Sequence, residues 1–217
     1  MSNLKGILFD LDGTVLDTRE LIYRSFEHVI EVFWLHGIDR KELIKCWGEP
    51  LATTMQRWSP ENYEELLSSY REYMYDRHDE LVKPFDGMEE VLSELQTEMV
   101  PVALVTSKVR RGAERGLKQT GLEKYFQVVV TVEDTGRAKP HADPALLAAE
   151  KLFLKPEDLM FAGDTVHDIY CAKHAGCVSI AVDWSECSRE NLAAAEPDYF
   201  AAEPKDLLRL YRKLSRR

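Results

Sequence analysis

Asp10 and Asp12 stand two residues apart in Asp10-Leu11-Asp12-Gly13-Thr14, directly after the apolar run Gly6-Ile7-Leu8-Phe9. Far along the chain, Asp164 and Asp168 follow another apolar run, Leu159-Met160-Phe161-Ala162. Thr106-Ser107-Lys108 follow a third, Val100 to Val105, and Lys139 lies in the segment after a fourth, Phe126 to Val130. Carboxylates held together repel: a pair of unit charges 4 Å apart costs about 4 kcal/mol at an effective dielectric constant of 20. Such a cluster either keeps a proton or binds a hard divalent cation. Oxygen ligands with room for water and a phosphate favour Mg2+ over zinc. Lys139, a threonine hydroxyl and backbone N–H groups around Gly13 and Ser107 would then accept phosphate oxygens. Each segment alone reads as turn or helix-cap chemistry. Four of them, in consistent order and each after a strand-like run, read as one site.

The elements that must position these groups are strands alternating with helices. The four apolar runs and a fifth, Val178 to Val182, alternate with helical patterns, which implies an α/β fold built on a parallel sheet covered on both faces. Ligand sites in such sheets lie at the carboxyl ends of the strands. Asp86 and Glu89 have the spacing of a capping box, Asp143-Pro144 reads as N-cap and first helical residue, and Gly176 should stop the helix that follows Thr165. Between the first two core strands lie some eighty residues of helical pattern. Ile22, Phe26, Val29, Ile30 and Phe33 share one helix face, as do Tyr63, Leu66, Leu67, Tyr70 and Met74. A crossover needs only about a dozen residues, so this stretch is an inserted helical subdomain, with hinges near Asp17 and Lys83-Pro84. Phe26, Phe33, Trp34, Trp47 and Trp58 are expected to form its small core. Residues 205–217 carry six bases and one acid and read as a solvated last helix.

Composition narrows the setting. The chain has 217 residues, 45% hydrophobic and 30% charged, with a net charge of −10 that argues against sequence-independent binding to nucleic acid or anionic lipid. The four cysteines, Cys46, Cys171, Cys177 and Cys187, form no C-x-x-C pair and read as reduced thiols. No apolar run approaches the ~18 residues of a membrane span, and the first residues lack the apolar stretch of a signal peptide. A cytoplasmic location is expected. His167, Cys171, His174 and Cys177 recur along one segment, but their positions drift around a helix, and Cys171 and Cys177 are expected to be packing residues rather than zinc ligands.

Phe9-Asp10-Leu11-Asp12-Gly13-Thr14-Val15-Leu16-Asp17-Thr18 resembles motif I of the haloacid dehalogenase superfamily. Val105-Thr106-Ser107-Lys108 resembles its motif II, Lys139-Pro140 its motif III, and Gly163-Asp164-Thr165-Val166-His167-Asp168-Ile169 its motif IV. The resemblance implies a Rossmann-like, three-layer parallel sheet of order 3-2-1-4-5, formed by residues 1–16 and 84–217, with an all-helical C1 cap over 17–83. It implies that Asp10 is the nucleophile of an aspartyl-phosphate mechanism and Asp12 the acid and base. Mg2+ would be held by the side chains of Asp10 and Asp164 and the backbone carbonyl of Asp12, with Asp168 behind them orienting Lys139. Thr106, Ser107 and Lys139 would bind the phosphoryl group. Apart from the resemblance, Lys108 is a candidate to grip a leaving-group carboxylate or second phosphate, as are the cap bases Lys45 and Arg57, which read more readily as a solvated face.

The second aspartate separates phosphatases from the dehalogenases, whose halide leaves without a proton. A capped site suits a small phosphorylated metabolite or pyrophosphate. The segments Thr18 to Ile22, Trp47 to Leu51 and Arg77 to Lys83 resemble the phosphoglycolate phosphatase group and, more closely, its pyrophosphatase branch, although Glu49 replaces an expected small or apolar residue. A sugar-phosphate phosphatase or a β-phosphoglucomutase-like enzyme is the alternative, the latter lacking its cap histidine near Ile22 or Tyr23. A non-enzymatic phosphoacceptor of the receiver kind is more remote, since it needs neither the cap nor Asp12. A monomer or homodimer is compatible with all of these.

Overall fold

The computed structural model describes residues 4–45, 49–184 and 186–215, with side chains except at Arg40, Ile44 and Lys45. In chain order the elements are β1 (Gly6–Phe9), β2 (Leu16–Asp17), α1 (Arg19–Val32), α2 (Arg40–Lys45), α3 (Leu51–Trp58), α4 (Tyr63–Leu81), β3 (Lys83–Pro84), α5 (Met88–Thr97) and β4 (Val102–Val105). There follow α6 (Arg110–Thr120), β5 (Val128–Val130), α7 (Asp143–Lys151), β6 (Leu159–Gly163), α8 (Val166–Ala175), β7 (Val178–Val182), α9 (Arg189–Ala194), β8 (Tyr199–Ala201) and α10 (Pro204–Leu214).

The main sheet has the order β5-β4-β1-β6-β7-β8, and each of its neighbouring pairs is parallel. Its first five strands run in the expected order 3-2-1-4-5. The sixth, β8, extends the sheet beyond β7; only three residues long and half-buried, it carried no apolar run to announce it. β1, β4 and β6 are buried at every residue, which is why they read as continuous apolar runs rather than alternating ones. Successive residues serve opposite faces. Leu8, Ala103, Val105, Val130 and Phe161 pack with Ala145, Ala148 and Ala149 of α7 and Cys171, Ala172 and Ala175 of α8. Cys171 and Cys177 are thus core residues, as their apolar setting predicts, and burial pushes both thiols up to about 12.

The chain divides into two compact units, Met1–Asp17 with Pro84–Arg217, and Thr18–Lys83. The second consists of α1 to α4 around Phe26, Val29, Met55, Leu66 and Tyr70. The Phe26 ring lies 5.2 Å from Trp58 and 4.9 Å from Tyr70, and Phe33 packs against the same cluster. Trp34 does not. It follows the end of α1 at a φ of 53°, where the helical period no longer applies, and is 80% exposed. Trp47 and the Lys45 side chain fall outside what the structure describes. The Glu49 carboxylate accepts two hydrogen bonds from the Arg57 guanidinium, both 2.9 Å, and one from the Thr54 hydroxyl at 2.8 Å. This acid is therefore neutralised locally, tying the start of α3 to its last turn.

Two helix starts differ from expectation. Gly87, at a φ of 85°, occupies the N-cap of α5, so Asp86 forms no capping box. Asp143 is itself the first residue of α7 and pairs with Arg137 at 3.1 Å instead of capping. Gly176 ends α8 at a φ of 83°, as expected. The basic helix α10 is amphipathic: Leu207, Leu208 and Tyr211 are buried, while Arg212 reaches Glu94 at 2.8 Å and Arg209 reaches Asp206 at 2.7 Å.

Phe153 ends α7 in the left-handed region (φ 56°), where its N–H donates to the Glu150 carbonyl and that of Leu154 to the Ala149 carbonyl. Glycine normally fills this position, and Phe153 gains nothing by burial, being 95% exposed. Phe153→Gly removes a conformational cost of about 1–2 kcal/mol, partly offset by the entropy glycine adds to the unfolded chain. The expected result is a thermal midpoint about 2–4 °C above the parent, read by calorimetry or circular dichroism.

Candidate active site

The ends of adjacent parallel strands bring the acidic residues together. β1 and β6 run side by side with Phe9 opposite Ala162, so Asp10 and the Gly163-Asp164 pair emerge next to each other. The Asp10 N–H continues this ladder to the Ala162 carbonyl at 2.9 Å. Gly13 then turns the chain at a φ of 85°, its N–H bonded to the Leu16 carbonyl at 2.9 Å. A Cβ on Gly13 would lie 2.1 Å from Asp164 Oδ2. Glycine is thus required twice over there, by backbone conformation and by the approach of a carboxylate.

Asp168 is placed by the first turn of α8. Thr165 caps the helix, accepting from the Asp168 N–H at 3.4 Å, while Asp168 Oδ2 accepts from the Thr165 N–H (3.0 Å) and hydroxyl (2.6 Å). Gly163 makes room for this turn: a Cβ there would lie 2.2 Å from Asp168 Cβ. The second Asp168 oxygen, Oδ1, accepts from Lys139 Nζ at 2.6 Å. Lys139 also donates to Asp10 Oδ1 at 2.6 Å and to the Val105 carbonyl at 3.2 Å. One ammonium therefore ties motif I, the end of β4 and the helix after β6, and its three donors are matched by three acceptors.

The remaining sequence candidates lie at the end of β4, which pairs with β1 on the side opposite β6. The Thr106 N–H donates to the Val130 carbonyl at 2.9 Å, and its hydroxyl accepts the Lys108 N–H at 3.1 Å. Thr106 is buried and Ser107 half-buried. Lys108 Nζ donates to Asp12 Oδ1 at 2.7 Å. Thus Asp10, Asp164, Asp168 and Lys139 form one buried group, whereas the Asp12 side chain is paired with Lys108.

Burial pushes the Asp10 carboxyl up to about 7, a rise that Lys139 opposes and the neighbouring Asp168 reinforces. Burial acts to lower Lys139, but the charges of Asp10 and Asp168 outweigh it and hold the ammonium above its ordinary range. One oxygen from each of Asp10, Asp164 and Asp168 lies within 4.8 Å of the others. With every carboxyl ionised, this group and Lys139 carry two negative charges in excess. The donors are oxygens alone, and the missing side chain of Gly13 lets the Asp164 carboxylate come in beside the Asp10 turn. These residues fit a hard divalent cation such as Mg2+.

Three supporting contacts lay outside the sequence reading. Thr165 holds Asp168, and the threonine-to-aspartate spacing of a capping box was its available signal. The His174 ring meets the Pro140 carbonyl through Nδ1 at 2.8 Å, next to Lys139. The Trp184 indole N–H donates to the Thr14 carbonyl at 3.1 Å, and its ring lies 6.2 Å from Phe85. Nothing in sequence spacing announces the last two, because they join residues far apart in the chain.

The model of the haloacid dehalogenase-like hydrolase family matches residues 7–182. The chain belongs to this family. Its relatives include a Caldanaerobacter subterraneus subsp. tengcongensis protein described provisionally as pyrophosphatase PpaX, 42% identical over 207 residues, covering 95% of this chain and 94% of that protein. Pyrophosphatase PpaX of Anoxybacillus flavithermus is 36% identical over 214 residues, covering 99% and 100% of the two chains. Among solved structures, a haloacid dehalogenase-like hydrolase from Streptococcus pneumoniae superposes with a TM-score of 0.87 at 26% identity, covering 97% of this chain and all of that one. As a member of this family the chain is a hydrolase.

Proposed function

We propose that this hydrolase cleaves phosphate from small molecules with the help of Mg2+, and that inorganic pyrophosphate is its substrate. The observation carrying the reading is the buried carboxylate of Asp10 held 2.6 Å from Lys139 at the end of the central strand. The full-length likeness to proteins named PpaX favours pyrophosphate over 2-phosphoglycolate or a sugar phosphate.

In this reading an Asp10 oxygen attacks phosphorus in line, and the bond from phosphorus to the leaving oxygen breaks as the aspartyl-phosphate forms. Asp12 gives its proton to that leaving oxygen. Asp12 then takes a proton from the incoming water, whose oxygen bonds phosphorus as the bond to Asp10 breaks; inorganic phosphate leaves and the carboxylate is restored. Lys139, which donates to the Asp10 carboxylate, would turn a donor to a phosphoryl oxygen, and Thr106 and Ser107 would supply further donors. Mg2+, bound through the Asp10 and Asp164 side chains and the Asp12 carbonyl, would neutralise phosphoryl charge, with Asp168 fixing Lys139 from behind.

Phosphate release from pyrophosphate, 2-phosphoglycolate and a hexose monophosphate, each with Mg2+ and with excess chelator, tests the assignment. The expected result is a kcat/KM for pyrophosphate at least ~10-fold above the other two, lost with chelator. Equal or higher values for either monoester would overturn the choice of substrate, and turnover surviving chelation would overturn the metal requirement.

A further inference from the structure

We propose that Lys108 selects substrates whose leaving group is an anion, binding that charge beside Asp12, and that Gly112 is a positioning residue which makes room for the lysine stem. The proposal rests on the reading of Asp12 as proton donor to the leaving oxygen.

A donor must come within about 2.6–3.2 Å of the oxygen it protonates. Lys108 Nζ lies 2.7 Å from Asp12 Oδ1. From either carboxyl oxygen of Asp12, the leaving oxygen is therefore within about 8 Å of the Lys108 ammonium, and a charged group one or two bonds beyond it can lie closer still. The other ammonium of the site, Lys139, is held at Asp10, Asp168 and the Val105 carbonyl, on the side of the transferring phosphoryl group in this reading. An anionic leaving group entering beside Asp10, Asp12, Asp164 and Asp168 meets four carboxyl groups, which Lys139 and the proposed Mg2+ offset on the side of the transferring phosphoryl group. Without a cation at this point, that field would discriminate against it. An ammonium has three donors and a flexible stem, so Lys108 can keep Asp12 and accept a second anion.

The stem is positioned for this. The Lys108 side chain is only 11% exposed, and its N–H is fixed to the Thr106 hydroxyl. It lies along the first turn of α6, where a Cβ on Gly112 would stand 3.2 Å from Lys108 Cε, 3.3 Å from Cγ and 3.4 Å from Cδ. Glycine inside a helix costs about 0.5–1 kcal/mol relative to alanine. At Gly112 that cost coincides with the space the Lys108 stem occupies.

Two monoesters of nearly equal size separate the effect from general catalysis: 2-phosphoglycolate, whose leaving group carries a carboxylate, and ethylene glycol monophosphate, whose leaving group is neutral. Pyrophosphate is the third substrate, with an anionic leaving group of its own. Initial rates with Mg2+ are compared for the parent, Lys108→Met and Gly112→Ala. Lys108→Met is expected to lower kcat/KM for pyrophosphate and 2-phosphoglycolate by about 10–100-fold more than for the neutral ester. Gly112→Ala should move the same ratio in the same direction by a smaller factor. An equal loss on charged and neutral substrates would overturn the proposal, since a lysine that acts only through Asp12 affects all leaving groups alike. Asp12→Asn distinguishes the underlying reading: retained turnover would overturn the acid assignment and the proposal with it. An inactive Asp12→Asn with an unchanged charged-to-neutral ratio in Lys108→Met would overturn the role of Lys108 alone.

Discussion

Asp10→Asn is expected to reduce kcat by about 10⁴-fold or more, the scale seen when a nucleophile is removed from a site that otherwise remains intact. The amide has nearly the shape of the carboxyl but cannot form the phosphoryl bond. Folding should survive. Burial already pushes the Asp10 carboxyl up to about 7, so a neutral group at this position resembles a form the parent itself populates near neutral pH. The variant does leave Lys139 with one carboxylate fewer, although Asp168 at 2.6 Å and the Val105 carbonyl at 3.2 Å still hold it. Steady-state phosphate release and a thermal melt check both parts. Acid quenching during turnover provides a third readout, an acyl-phosphate in the parent and none in the variant. Turnover within about 100-fold of the parent would remove Asp10 from the role of nucleophile.

Lys139→Met should be the most damaging substitution to stability among the site residues. It strands Asp10 and Asp168, both almost wholly buried, without the ammonium that neutralises them. Breaking a buried ion pair by removing one partner costs about 3–5 kcal/mol, and turnover should be lost as well, because the variant lacks the donor proposed for the phosphoryl group. The pH dependence has a definite sign. In the variant, a stranded carboxyl has a folded-state pKa above its unfolded value, so the folded state binds the extra proton. Its stability therefore rises as pH falls through that raised value. In the parent, Lys139 is raised above its ordinary value, and its contribution is fully present below about 10.5. The deficit of the variant should consequently be greatest near pH 8 and shrink toward pH 5. Urea unfolding at the two pH values measures it; a deficit that grows on acidification would contradict the buried pairing.

Much of the core is legible in the sequence because burial writes itself into composition. β1, β4 and β6 are covered on both faces and appear as uninterrupted apolar runs, and the polar residues after them form the candidate site. The short edge strand β8 was not legible for the complementary reason: a half-buried three-residue strand has too few positions to show a period. Helix starts failed where backbone conformation overruled side-chain pattern, as at Gly87, whose positive φ displaced Asp86 from the cap. Trp34 lies outside the helical core because α1 ends two residues before it and the helical period no longer applies there. Within the site, residue types suggested which groups would gather. The partner of each was a matter of distance: that the Asp12 side chain pairs with Lys108, and that Lys139 bridges Asp10 and Asp168, depends on contacts across 96 and 129 residues of chain. Glu49, unexpected in sequence, acquires a reason only beside the Arg57 guanidinium.

The indole of Trp184 has a use unrelated to its place in packing. Its N–H is bonded to the Thr14 carbonyl, on the same short turn that carries Asp10, Asp12 and Gly13. Of the four tryptophans, Trp34, Trp47 and Trp58 belong to the inserted segment, leaving Trp184 as the chromophore of the sheet domain. Indole emission responds to hydrogen bonding at that nitrogen and to nearby charge. With phenylalanine at the other three positions, the protein would become its own optical sensor: the cation and phosphate proposed to enter beside Asp10 would be followed in real time, without a label and without turnover.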